Sequence, residues 1–157
     1  MKILLIQIDK TQDAYLDEGI AVYSKRLKNY TAFETITLSI PKSIRQKTIP
    51  EQKKEESRLL MQNLNKDDEV VLLDERGQAF SSEEFAAFLG KRQNASVKRL
   101  VFIIGGPFGF DDLMYKQARW KISLSRMTFS HQMVRLFFCE QLYRGFTILK
   151  GEKYHHS

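Results

Sequence analysis

The chain holds one cysteine in 157 residues, Cys139. That excludes an intrachain disulfide and points to a reducing compartment. The thiol sits within Leu136-Phe137-Phe138-Cys139, a setting that suits a buried structural residue rather than a nucleophile. Histidine is scarce too, with three in all, and no Cys/His grouping has zinc spacing. The adjacent pair His155 and His156 is badly placed to share an ion, so no metal is expected. No apolar run approaches transmembrane length. The opening Met1–Ile8 stretch is too short for the apolar part of a signal peptide and lacks a small-residue cleavage site. A cytoplasmic protein with no membrane partner is the expectation. Two nucleotide-binding patterns are also missing: three spaced glycines opening a helix, and a Walker loop with its lysine and hydroxyl. Their absence disfavours a nicotinamide cofactor and ATP.

What is present is an ordinary globular composition, 43% hydrophobic and 28% charged, with a formal charge of +6. The length suits one domain over residues 1–157. The positive balance favours an anionic partner such as RNA, DNA or an anionic membrane surface, unless the charge is incidental. Apolar patterning alternates strand and helix along the chain. Strands are expected at 2–8, 33–40, 70–74, 100–104 and 122–124, with helices over 12–29, about 50–65, 81–94 and after 131. Pro41–Lys47 reads as a basic loop, and Glu75-Arg76-Gly77 as a turn leaving the third strand. Such alternation argues an α/β fold, a mostly parallel sheet flanked by helices.

Eleven of the eighteen aromatic residues lie after residue 100. The last helix carries Met133, Val134, Leu136, Phe137, Phe138, Leu142 and Phe146, apolar around much of its circumference. A helix of that kind is central or covered by another subunit, which makes a homodimer an expectation.

Candidate site residues cluster in the same region. The 100–104 strand runs into Gly105-Gly106-Pro107-Phe108-Gly109-Phe110, where glycines would let a ligand approach the backbone, or would simply make a tight turn. Leu124-Ser125-Arg126-Met127-Thr128-Phe129 mixes apolar side chains with hydroxyls at another strand end, without an acidic residue. It could serve an adenine edge and face, or be a plain loop. Leu73 is a further apolar wall or a core leucine. Glu140 and Arg144, four apart, share a helix face as an ion pair or as a site. His131 and Arg135 lie near the start of that helix, where His131 could cap it or act in a site. A tail of Lys150, Lys153, Tyr154, His155 and His156 could bind phosphate and stack on a base, or be an inert chain end.

Taken together, these segments resemble the RlmH family, small SPOUT-class methyltransferases of large-subunit ribosomal RNA. The likeness runs from Met1-Lys2-Ile3 to Tyr154-His155. It is strongest in Leu72-Leu73-Asp74, Ile104-Gly105-Gly106-Pro107-Phe108-Gly109, Ser123-Leu124-Ser125, and His131 through Glu140-Gln141-Leu142-Tyr143-Arg144. The tail departs from the family pattern, with Lys153 where proline is common and His156 where a basic residue often stands. The resemblance implies a C-terminal trefoil knot and a homodimer. It also implies methyl transfer from S-adenosyl-L-methionine to N3 of a pseudouridine in 23S rRNA, within the ribosome or large subunit. Carried onto this chain, the cofactor would be held by Leu73, Gly105 and Leu124, Ser125, Arg126, Met127, Thr128 and Phe129. The partner's tail, with Tyr154 and His155, would complete the RNA side, and Glu140, Arg144, Tyr154 and His155 are the expected catalytic residues. Two other readings remain: a non-catalytic RNA-binding or ribosome-associated module, and a small-molecule α/β enzyme. Cofactor binding separates the first reading from both, and salt-sensitive ribosome binding separates the third from the others.

Overall fold

The computed structural model describes residues 1–156. Strands β1 (Lys2–Ile8), β2 (Ala32–Leu38), β3 (Glu69–Ala79), β4 (Arg99–Ile104) and β5 (Trp120–Ser123) form one parallel sheet in the order β2-β1-β4-β3-β5. Consecutive residues of β1 and β4 are apolar because both faces of these strands are covered. Ile3, Leu5, Phe102 and Ile104 pack towards helices α1 (Ala14–Leu27), α4 (Ser82–Asn94) and α6 (Met133–Leu149). Leu4, Ile6, Val101 and Ile103 pack the other way, against α2 (Lys42–Arg45), α3 (Ile49–Met61) and α5 (Asp112–Gln117). Phe102 meets Phe138 of α6 with ring centres 4.8 Å apart. Cys139 is wholly buried beside it, and burial pushes its thiol up to about 12, in keeping with a structural role.

Helix signals read from the sequence match the structure where caps are explicit. The Ser81 hydroxyl accepts the Glu84 N–H, and the Glu84 side chain accepts the Ser81 N–H, closing a capping box. Two expectations need correction. Pro41–Lys47 is not all loop, because Lys42–Arg45 forms a helical turn that buries Ile44 and pairs Arg45 with Asp9. The third strand does not end at Asp74. Leu73 and Gln78 both face Ile122, so residues 74–77 bulge out of the ladder before pairing resumes. Gly77 makes this possible, since a Cβ there would stand 2.6 Å from the Ile122 nitrogen.

The last helix is tied to the opposite part of the sheet from β5. Arg135, 2% exposed, donates to the Ile8 carbonyl at 2.6 Å, the Asp9 carbonyl at 2.9 Å and Thr11 Oγ1 at 3.1 Å. The segment between β5 and α6 must therefore cross the carboxyl ends of β3, β4 and β1. That crossing shapes the site.

Candidate functional site

Where strands β4 and β5 end, beside the bulge within β3, the loops leave a cavity of about 380 Å³, in the range of small-molecule sites. Its position at the carboxyl ends of parallel strands is where α/β sheets leave backbone groups free. Of the eight residues expected to hold a cofactor, Leu73, Gly105, Leu124, Ser125, Met127, Thr128 and Phe129 line it, and Arg126 does not. The reason is a local turn. Ser123 Oγ donates to the Ser125 carbonyl at 2.7 Å, and Ser125 Oγ accepts the Met127 N–H at 2.9 Å. That turn leaves Arg126 exposed to solvent.

Sequence reasoning missed the polar wall. The 74–77 bulge brings Asp74, Glu75 and Arg76 to the cavity. Asp74 accepts the Arg76 N–H at 2.9 Å and the Tyr115 hydroxyl. Burial, followed by the bond to Asp74, holds the Tyr115 hydroxyl above its ordinary pKa. A tight strand pair read as an apolar run gives no hint of this excursion; the only signal was Glu75-Arg76-Gly77 itself.

The Gly105–Phe110 loop is gripped from beneath. Ser57 Oγ of α3 donates to Asp111 Oδ1 at 2.5 Å, and the same oxygen accepts the Met114 N–H at 3.0 Å, starting α5. Its neighbour Glu56 presses against Gly106. Burial raises the Glu56 pKa, opposed by Arg45 and by the Gly106 N–H. His131 lines the cavity above this loop. It does not cap α6, whose N-cap is Gln132 without a side-chain bond. Burial lowers its pKa, partly offset by the Gly106 backbone.

The four expected catalytic residues form a second cluster that lines no part of the cavity. Arg144 donates to Glu140 Oε1 through Nη2 at 2.5 Å and Nε at 3.1 Å. Tyr154 Oη donates to the same oxygen at 3.1 Å, and the Arg144 guanidinium lies 4.7 Å from the Tyr154 ring centre. Arg144 Nη1 is 3.2 Å from His155 Nδ1, and His155 Nε2 is 2.7 Å from Glu83 Oε1. A guanidinium only donates, so Nδ1 is the acceptor and His155 carries its proton on Nε2, facing Glu83. The bond to His155 holds the Glu83 carboxyl below its usual range. Burial and the Tyr23 contact raise the Tyr154 hydroxyl, which packs edge-on against Tyr143 at 4.8 Å. The tail is thus docked on its own subunit, not loose.

Among the described residues no group of three His, Cys, Asp or Glu could hold a metal, and no helix is long and apolar enough to cross a membrane.

Comparison with known proteins fits this architecture. Residues 1–155 match the family described as Predicted SPOUT methyltransferase. The chain is 52% identical over 156 residues to the Ribosomal RNA large subunit methyltransferase H of Cytophaga hutchinsonii, covering 99% of this chain and 100% of that one. It is 50% identical over 157 residues to the protein of the same name from Flavobacterium johnsoniae, covering 100% of both. A solved structure of a probable methylase family protein from Haemophilus influenzae Rd KW20 is similar in fold, with a TM-score of 0.52 at 11% identity, covering 97% of this chain and 67% of that one. A parallel sheet with its cavity at the strand ends, matched end to end by such relatives, makes this chain a member of the SPOUT methyltransferases, in the large-subunit methyltransferase H family.

Proposed function

We propose that this protein methylates N3 of a pseudouridine in 23S rRNA, using S-adenosylmethionine and acting as a homodimer on the ribosome or large subunit. The cavity carries this reading. Leu73, Ile104 and Leu124 offer apolar walls for an adenine face, and the backbone of Gly105 and of 124–129 offers hydrogen bonds to its edge. Relatives about half identical over the whole length bear the name of the activity. The family's trefoil knot belongs to this reading, supported by the segment that crosses the strand ends between β5 and α6.

S-adenosylmethionine, when bound, supplies a methyl on a sulfonium sulfur. The chain's task is to hold N3 in line with it and to remove the N3 proton. In the resting cluster no base is free. Glu140 Oε1 takes three donor contacts, Oε2 accepts from Gln141 Nε2 at 2.9 Å, and the Nδ1 lone pair of His155 faces Arg144. Substrate that draws Arg144 to the developing imide charge would release His155 Nδ1 or Glu140 as base. Tyr154 is placed to stack on the base.

The cluster lies apart from the cavity within one chain, so the partner's tail would complete the site. Exposed apolar residues around the cavity mouth and on α1 and α6 suit such a dimer: Met127 is 76% exposed, Tyr15 64% and Phe137 39%. The test is methyl transfer from labelled S-adenosylmethionine to ribosomes from a strain lacking this gene, with the product nucleotide mapped by mass spectrometry. Label at N3 of a 23S pseudouridine is expected. Tight, salt-sensitive ribosome binding without label would replace the enzyme by a non-catalytic RNA-binding module.

A further inference from the structure

We infer that Glu83 is a positioning residue for the proposed methyl transfer. It holds the His155 proton on Nε2, so that Nδ1 is bare and acts as the base once Arg144 turns to the substrate. This rests on the proposed function and selects His155 over Glu140.

In Ser81-Ser82-Glu83-Glu84 the two acidic residues have different partners. Glu84 closes the capping box with Ser81. Between them Ser82 Oγ donates to Gln141 Oε1 at 2.8 Å, so the first turn of α4 is docked on α6 beside the cluster. Farther along, Gly145 lets the two helices approach closely, since a Cβ there would stand 2.9 Å from Leu89 Cδ1. Glu83 is thus carried on a fixed turn, and its Oε1 lies 2.7 Å from His155 Nε2. The Glu83 side chain is 49% exposed and that of His155 17%. As a partly exposed ion pair the contact would contribute little stability. Its consequence is instead where the imidazole keeps its proton.

The two candidate bases differ in what they keep when Arg144 leaves. Glu140 retains the Tyr154 hydroxyl on Oε1 at 3.1 Å and Gln141 Nε2 on Oε2 at 2.9 Å. His155 Nδ1 has Arg144 as its one partner among the described residues, so that lone pair is left open. The same departure removes the donor that fixed the tautomer. Glu83 then decides it alone, because a carboxylate accepts and cannot donate. With the proton on Nδ1 instead, the Nε2 lone pair would face the carboxylate and Nδ1 could take no proton. In the step itself His155 Nδ1 takes the N3 proton, N3 takes the methyl, and the sulfur keeps the bonding pair. The imidazolium so formed stays paired with Glu83.

The test reads the His155 ring by long-range proton–nitrogen NMR at alkaline pH, where histidine rings are neutral. The signal is assigned by its absence in His155→Asn. One Nε2–H tautomer is expected in the native protein and in Arg144→Ala, and a mixture in Arg144→Ala combined with Glu83→Ala. Single-turnover methyl transfer should fall roughly ten-fold in Glu83→Ala, less than the loss of the base itself. Glu83→Gln, whose amide oxygen accepts the same N–H, should stay within about three-fold of the native rate. Cofactor affinity should hold within about two-fold in both variants, because Glu83 lines no part of the cavity. A mixture already present in Arg144→Ala, a single tautomer kept in the double variant, or a native rate in Glu83→Ala would each overturn the inference. Absence of methyl transfer by the unaltered protein would overturn the proposed function, while the ring signals would still report whether Glu83 holds the proton.

Discussion

The cavity and the tail cluster are built by different physics. The cavity is assembled from three separate stretches of chain, which bring apolar side chains and glycine backbone together with the polar wall of Asp74, Glu75 and Arg76. It is rigid because the sheet beneath it is packed on both faces. The tail cluster instead is a chain of charged and hydroxyl side chains, Glu83, His155, Arg144, Glu140, Tyr154 and Tyr23, each holding the next. Most of its bonds are partly exposed, so each contributes little stability and each can be exchanged for a bond to substrate. A preformed cavity suits a small cofactor. A side-chain chain in which Glu140 and His155 are already paired suits a site that opens when RNA arrives.

The largest expected effect comes from removing the hub of the second region. Arg144→Ala leaves Glu140, His155 and the Tyr154 ring without their shared donor. Single-turnover methyl transfer to ribosomes should fall by roughly 10²–10³-fold, the scale of a lost charge stabiliser. Cofactor affinity measured by calorimetry should hold within about two-fold, because no cluster residue lines the cavity. A parallel loss of affinity would erase the distinction between the regions. Deleting residues 153–157 is a milder form of the same cut. The rate should fall roughly 10²-fold, the low end of one general acid–base contribution. The melting temperature should drop by only a few degrees, because the lost contacts are partly exposed.

Attack on the first region should give the converse. Leu124→Ser removes an apolar wall at a half-buried position. Cofactor affinity is expected to weaken roughly ten-fold, the cost of about 1–2 kcal/mol of lost apolar burial. The docked tail should be unaffected, so tyrosine fluorescence of the Tyr143–Tyr154 pair should match the native protein. A perturbed tail signal would mean that the two regions are mechanically linked within one subunit.

How far each region was legible follows from how each is built. Loops that follow a strand and carry glycine or hydroxyls announce themselves, so Gly105 and Leu124–Phe129 stood out. Glu140 and Arg144 did so by helical spacing, and the tail only through family resemblance. The 74–77 bulge did not, because a register shift against β5 depends on pairing that no local pattern encodes. Glu56 was hidden for the opposite reason. It ends the run Lys53-Lys54-Glu55-Glu56, which reads as a solvated face. Yet Gln52, Glu56, Ser57 and Leu60 are the buried residues of α3: Glu56 and Ser57 meet the loop above, while Gln52 donates to the Lys47 carbonyl at 2.7 Å. Arg135, placed by the sequence only near His131 at the start of the last helix, proves to be a buried strut bonded to the end of β1.

The smallest effect tests the grip on Gly106, where two titratable groups pull in opposite senses. Burial holds His131 below its ordinary value of 6.5. As pH falls through that value the unfolded chain takes the proton first, so the folded state loses stability on acidification. Burial holds Glu56 above its ordinary value of 4.5. There the folded state keeps the proton longer, so stability is lost as pH rises above that value. The two slopes have opposite sign, that of Glu56 lying above pH 4.5 and that of His131 below 6.5. Urea unfolding of the native protein across this window should carry both. His131→Gln should unmask a decline with rising pH, and Glu56→Gln a rise. Parallel curves for the native protein and His131→Gln would mean that His131 is solvated. The loop would then be held from the α3 side alone.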